Sequence, residues 1–344
     1  MKKLLFLLSI AFSTLLLHAQ TNQVVWLNGK VYYEQPVTAI DSITYDMSNV
    51  VERDTLKLLL PRTIREIVYR DVIQEVHDTI YVYKCSGDDS NVLVGVFSVS
   101  ADKQVAFTKG NLQCSGVNTG NYVWSFAENQ YDMLGIDNVS GSALADKIDL
   151  FGWSANNTTA KWGISTSQNI DDYAGDFVDW GTSIVGTSVP NTYRTLTSDE
   201  WKYLFNTRTN ASEKKGIARI NLNSDGSQYA NGIILLPDWW TLPAGVTFKS
   251  GLAGSYADYQ TFTLAEWQQL EAAGAVFLPA AGYRSGSNVD AVQIYGFYSS
   301  ATTYDNSYFP NFAYYLRFTS NEVLAASHGT GRNYGQAVRL VKDL

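Results

Sequence analysis

Thr263-Leu264-Ala265-Glu266-Trp267-Gln268-Gln269-Leu270 decides the fold class, together with an earlier echo, Thr197-Ser198-Asp199-Glu200-Trp201-Lys202-Tyr203-Leu204. Each stretch sets a Thr three residues before a Glu. The Thr hydroxyl then accepts from the backbone amide of the Glu, and the Glu carboxylate reaches back to the Thr amide, which starts a helix. In both, the Trp and the Leu three residues later share one face, so each helix is expected to bury a Trp/Leu stripe. Gly274 suits the end of the second helix. Strand candidates follow it at 275–280, 296–301, 313–318 and 336–341. Ahead of the first helix, 92–99 and 105–107 read as a hairpin about Ala101-Asp102-Lys103, and the next hundred residues, rich in Gly, Asn, Ser and Trp, read mostly as loop. Two short helices, a small antiparallel sheet and long loops make an α+β domain rather than a parallel βαβ series.

Upstream the composition changes. Met1-Lys2-Lys3, an apolar run over 4–17 and His18-Ala19-Gln20 form a secretory signal peptide (1–19) cleaved after Ala19. No later apolar run approaches the length of a membrane span. Residues 20–47 are read as a β-hairpin module, with Asn28-Gly29 turning between Val24–Leu27 and Val31–Tyr33 and a further strand ending at Tyr45. Residues 48–91 are read as a stalk and linker. Ile64, Val68, Val72, Val76 and Ile80 recur every four residues, but Val, Ile, Thr and Tyr favour extended chain, so helix and strand both stay open. Self-association through this segment is expected. Residues 92–344 form the main domain.

The 344 residues carry 25 basic and 33 acidic side chains, a net charge of −8, which argues against nucleic acid as partner. Two cysteines exclude a disulfide-dense scaffold and a four-cysteine zinc site. Cys85 and Cys114 stay open between a disulfide and two thiols.

Several phrases resemble a known family, in order from about residue 92 to the end. They are Phe97-Ser98-Val99-Ser100, Gly110-Asn111-Leu112-Gln113, Trp124-Ser125-Phe126-Ala127-Glu128-Asn129-Gln130, Ile148-Asp149-Leu150-Phe151-Gly152-Trp153, Leu235-Leu236-Pro237-Asp238-Trp239, Phe277-Leu278-Pro279-Ala280-Ala281-Gly282-Tyr283-Arg284 and Val338-Arg339-Leu340-Val341. The domain resembles the Fibrobacter succinogenes major paralogous domain group. That group is similar to the C-type lectin-like fold, shared with formylglycine-generating-enzyme-like domains and with the variable proteins of diversity-generating retroelements. The resemblance implies a secreted bacterial protein with a C-type lectin-like domain. One departure is Tyr298-Ser299-Ser300 where the family commonly has Trp-Ser-Ser; Tyr fills much of the same space, so the fold is expected to survive.

Chemistry-bearing residues are few. The thiol of a formylglycine-generating site has no counterpart in the C-terminal half, which lacks Cys. His328 alone is a poor base for a triad. Gly329-Thr330-Gly331-Arg332-Asn333-Tyr334-Gly335 lacks the Lys-Ser/Thr ending of a phosphate loop and reads as a turn. Asp171, Asp172, Asp176 and Asp179 suit calcium by type, with Asp171, Asp172 and Asp176 as the candidate set, but match no EF-hand spacing. The same carboxylates offer a glycosidase pair. Arg284 and Arg339 read as structural, bonding carbonyls or a carboxylate. No catalytic residue, cofactor or metal is assigned.

Residues 283–335 are the most informative: Tyr, Ser, Asn, Gly and Thr supply 29 of 53, and no Lys lies between Lys249 and Lys342. That is the composition of a paratope, rigid amphipathic Tyr beside adaptable small polar residues. Strand alternation over 313–318 turns Tyr314, Leu316 and Phe318 inward and leaves Tyr315 and Arg317 on the ligand side. The expected ligand-facing set is Asn288, Tyr298, Tyr304, Asn306, Tyr308, Asn311, Tyr315, Arg317, Asn321, His328 and Asn333. The expected function is therefore an exported or surface-displayed, non-catalytic protein that binds a protein or glycan. A structural or assembly subunit is the alternative, and a secreted carboxylate-dependent glycoside hydrolase a third.

Overall fold

The computed structural model describes residues 90–344 except Ala253 and Asp305, and the backbone of five short strands before residue 90. The chain divides into two compact units, Met1–Asp89 and Ser90–Leu344. In the first, Asn22–Leu27 pairs antiparallel with Lys30–Pro36, with Leu27 opposite Lys30, and Leu7–Ser9 adds to the Asn22–Leu27 edge. Ile43–Tyr45 pairs parallel with Ile67–Tyr69. The rest of the signal-peptide and stalk readings, and Cys85, lie outside the described residues.

The second unit opens with β1 (Phe97–Ser98) and β2 (Gln104–Phe107), an antiparallel pair about the expected turn. The last strand of the chain, Val341–Asp343, adds to the free side of β2. The two ends of the unit therefore share one sheet. β3 (Leu112–Ser115), β4 (Val123–Phe126) and β5 (Lys147–Ile148) make a second antiparallel sheet with β3 central. The irregular stretch beyond is pinned from inside. Asp179 accepts from the amides of Gly181 and Thr195, and the indole of Trp180 donates to Trp162 O at 3.0 Å.

Both capping boxes form. α1 (Ser198–Lys202) is capped by Thr197 with Glu200 reaching back, and it runs on as one wide π-helical turn through Thr207. The chain then makes β6 (Lys215–Asn221), β7 (Tyr229–Leu235) and β8 (Thr261–Thr263) before α2 (Leu264–Ala272), capped by Thr263 and Glu266. With β9 (Val276–Pro279) these strands form a four-stranded sheet in the order β8-β6-β7-β9, parallel only between β6 and β8. Trp201, Leu204, Trp267 and Leu270 are all buried, as the shared-face reading requires. Each such side chain contributes about 1.5–3 kcal/mol by leaving water. Gly274 ends α2 at φ +97°, donating to Glu271 O; a Cβ there would meet Gly95 Cα at 2.9 Å, so the turn requires glycine twice over.

The C-terminal third holds a small hairpin, β10 (Tyr283–Ser285) with β11 (Asn288–Asp290), and an antiparallel sheet of β12 (Gly296–Thr303), β13 (Phe312–Phe318) and β14 (Val323–Gly331), with β13 central. Mostly strands in small sheets with a few short helices is an α+β architecture. Two expectations change. The stretch 336–341 is not one strand: only Val341–Asp343 is. Gln336 bridges Phe151, Ala337 bridges Tyr298, and Leu112 N donates to Val338 O. The segment threads between sheets and bonds each in turn, so no ladder lengthens on either side. Gly329–Gly331 completes β14 rather than starting a loop, and the turn comes at Arg332–Tyr334.

Arg284 and Arg339 are fully buried and bond carbonyls. Arg284 donates to Leu150, Ser165, Gly163 and Gly286, and Arg339 to Thr108 and Phe277. Each guanidinium joins segments more than a hundred residues apart, and burial pushes both down to about 10. No helix among the described residues is long and apolar enough to cross a membrane.

Candidate functional site

The β12–β13 connection runs over 304–311, and its tip at 306–309 is closed by its own polar groups. Asn306 Oδ1 accepts from Tyr308 N at 2.9 Å, and Phe309 N donates to Asn306 O. Such an Asx turn holds a tip without help from a ligand. Tyr304 packs edge-on against Tyr314 at 5.1 Å and lies over Gly329, where a Cβ would meet its ring at 2.3 Å. Asn311 Nδ2 donates to Asp171 Oδ1 at 2.8 Å, anchoring the far side of the loop. This leaves Tyr308 87% exposed and Phe309 46% exposed.

A second feature occupies the outward face of the same sheet. Phe297 stacks on Tyr315 with centroids 5.7 Å apart, and Tyr283 and Tyr295 meet Phe297 edge-on. Tyr334 extends the row through Tyr283. At the Tyr295 end lies a groove of about 530 Å³ whose walls include Arg219, Tyr295, Arg317, Asn321 and Glu322. Arg317 pairs with Glu322, while Arg317 Nε has no hydrogen-bond partner among the described residues. Arg219 lies 3.8 Å over the Tyr229 ring and donates through Nε to Asn231 Oδ1.

The expected ligand-facing residues therefore separate. Asn288, Asn321 and His328 are exposed, and Tyr304, Asn306, Asn311 and Arg317 are half-buried. Three positions are corrected. Tyr298 is fully buried, its hydroxyl donating to Pro279 O and accepting from Asn111 Nδ2, because strand alternation turns it into the core. Burial raises its phenol well above the usual tyrosine range. Tyr315 does lie on the outward face, but the stacked Phe297 covers it. Asn333 is buried and donates to Gln168 O, because the turn at 332–334 folds back onto the irregular loops. Sequence reasoning missed Tyr283, Tyr295, Phe297, Tyr334 and Arg219. The alternation Tyr295-Gly296-Phe297 carried part of that signal; nothing local to Arg219 did.

The acidic run does not converge. Asp179 is half-buried as a turn cap, Asp172 accepts from Ser167 Oγ, and Asp171 accepts from Asn311. Among the described residues no three His, Cys, Asp or Glu side chains come together to hold a metal ion, so the calcium set Asp171, Asp172 and Asp176 is not assembled. His328 contacts the neighbouring Ser327 hydroxyl at 3.0 Å. Cys114 is a buried free thiol, pushed up to about 12 by burial.

Compared with protein-family models, with curated proteins and with solved structures, the chain matches none.

Proposed function

We propose that this chain is an exported display protein whose C-terminal sheet and loops bind a protein or glycan without catalysis, on a C-type lectin-like frame. The frame reading is supported by the sharing of one sheet by the unit's first and last strands, by the short helices capped at Thr197 and Thr263 and by long internally bonded loops. Export rests on the N-terminal sequence, and the end of the secreted product, expected at Gln20, tests it.

One observation carries the binding reading: Tyr308 is 87% exposed beside Phe309 on a turn closed by the Asn306 side chain and carbonyl. Exposed aromatic surface adds nothing to the stability of a monomer, and a rigid aromatic tip loses little entropy on docking. The test is binding of the purified chain to glycan and protein arrays beside the Tyr308→Ala/Phe309→Ala variant. Loss of the strongest hits at unchanged melting temperature is expected; equal binding by the variant overturns the assignment.

A further inference from the structure

The groove beside Tyr295 differs from the loop tip in what it leaves unsatisfied. Arg317 sits on β13 opposite Phe297, with one amino group on Glu322 and its Nε buried and unpartnered among the described residues. Arg219, from the middle of β6, reaches the same groove with Nε on Asn231, which leaves the end of its planar fork for a guest. Asn321 spends its carbonyl oxygen on Gly254 N, so its amide donors remain. Glu322 is the one carboxylate among the groove's walls. Two guanidinium charges against one carboxylate therefore leave a local surplus of one positive charge on a chain whose net charge is −8.

That balance fits a monoanion. A forked guanidinium matches a carboxylate in shape as well as charge. A phosphate monoester or a polyanion carries more negative charge than one surplus cation matches, and Glu322 repels the excess. The volume of about 530 Å³ suits a small-molecule or terminal-sugar guest. Ile294, 57% exposed, and Tyr295 give the groove an apolar edge, the surface against which the C–H face of a pyranose packs. We infer that the groove binds a sugar bearing a single carboxylate, a uronic acid residue of a glycan, with Arg219 and Arg317 holding the carboxylate and Tyr295 the ring. The inference rests on the reading of the C-terminal sheet as a recognition surface and names a ligand class for its groove end.

The test is titration of the purified chain with D-glucuronic acid, D-glucose and N-acetylglutamate, followed by saturation-transfer NMR. Glucuronate is expected to bind, with transfer to its ring protons, and the two controls to bind at least about tenfold more weakly. Arg219→Gln and Arg317→Gln should each lose about tenfold in glucuronate affinity. Asn321→Ala, at an exposed position, should lose about threefold and serves if an arginine variant fails to fold. Tyr308→Ala should bind glucuronate as the parent does, which separates failure of the groove from failure of the tip. Absence of glucuronate binding, equal binding of glucose or of N-acetylglutamate, or folded arginine and Asn321 variants with unchanged affinity would each overturn the proposal.

Discussion

Tyr298 and Tyr308 lie ten residues apart in one Tyr-, Asn- and Ser-rich stretch, yet they share no physics. Tyr298 is fully buried against Trp201 and Phe318, with its hydroxyl in two hydrogen bonds. Tyr308 stands 87% exposed on a turn closed by Asn306. Similar composition serves frame and face: strand alternation turns Tyr298 inward, and the Asn306 turn carries Tyr308 outward. Substitutions graded across frame and face sharpen this contrast.

The largest effect belongs to the frame. Tyr298→Ala removes a buried ring and strands Asn111 Nδ2, while Pro279 O keeps the amide of Ala281, so a loss of about 3–5 kcal/mol is expected, read by denaturant unfolding. Tyr298→Trp, which restores the residue common in the resembled family, should cost far less than the Ala change. If Tyr298→Ala unfolds as the parent does, the core placement fails.

Next is a proton in the frame. Asp149 accepts from Leu134 N, while its other oxygen has no partner among the described residues, and burial pushes its carboxyl up from 3.8 to about 6. The folded chain therefore binds this proton more tightly than the unfolded chain does. The associated stability is full below about pH 4 and is lost as pH rises through about 6, by at most about 3 kcal/mol. Asp149→Asn keeps an acceptor for Leu134 N and cannot ionise. Relative to the parent, the variant should gain stability between pH 4 and pH 8; a difference flat with pH overturns the assignment.

The same contrast explains what the sequence made legible. The two helices with capping boxes were readable because the box and the Trp/Leu spacing are local, whereas the one-turn helix Tyr256–Tyr259, capped by Ser255, was not foreseen. Gly274 was legible for the same reason. The groove was not, since Arg219 on β6, Tyr295 before β12 and Arg317 on β13 meet only through tertiary packing, and no pattern within any one segment encodes that. Tyr315 shows the limit of alternation: the period set its face correctly but could not foresee Phe297 lying over it. The acidic run misled by density alone, its carboxylates being spent on turns and on Asn311.

A smaller frame effect follows from the cap of α2. Thr263→Ala removes the hydroxyl that accepts from Glu266 N, and about 1 kcal/mol is expected, seen as a lower unfolding midpoint with unchanged slope. Thr263→Ser should restore most of it.

The smallest stability effect is expected at Tyr308, and it is the most informative. Its backbone amide, not its ring, holds the turn to Asn306, so Tyr308→Ala leaves that bond in place. Phe309 meets Phe312 at 4.7 Å and keeps the neighbouring apolar contact without it. The change should therefore stay within about 0.5 kcal/mol of the parent, as for a surface position free of special features. Binding to whatever the arrays select should fall sharply, because a rigid exposed ring contributes to an interface out of proportion to its share of area. A Tyr308→Ala chain that melts several degrees lower would move this residue from face to frame, since it would show that the ring supports the tip it stands on.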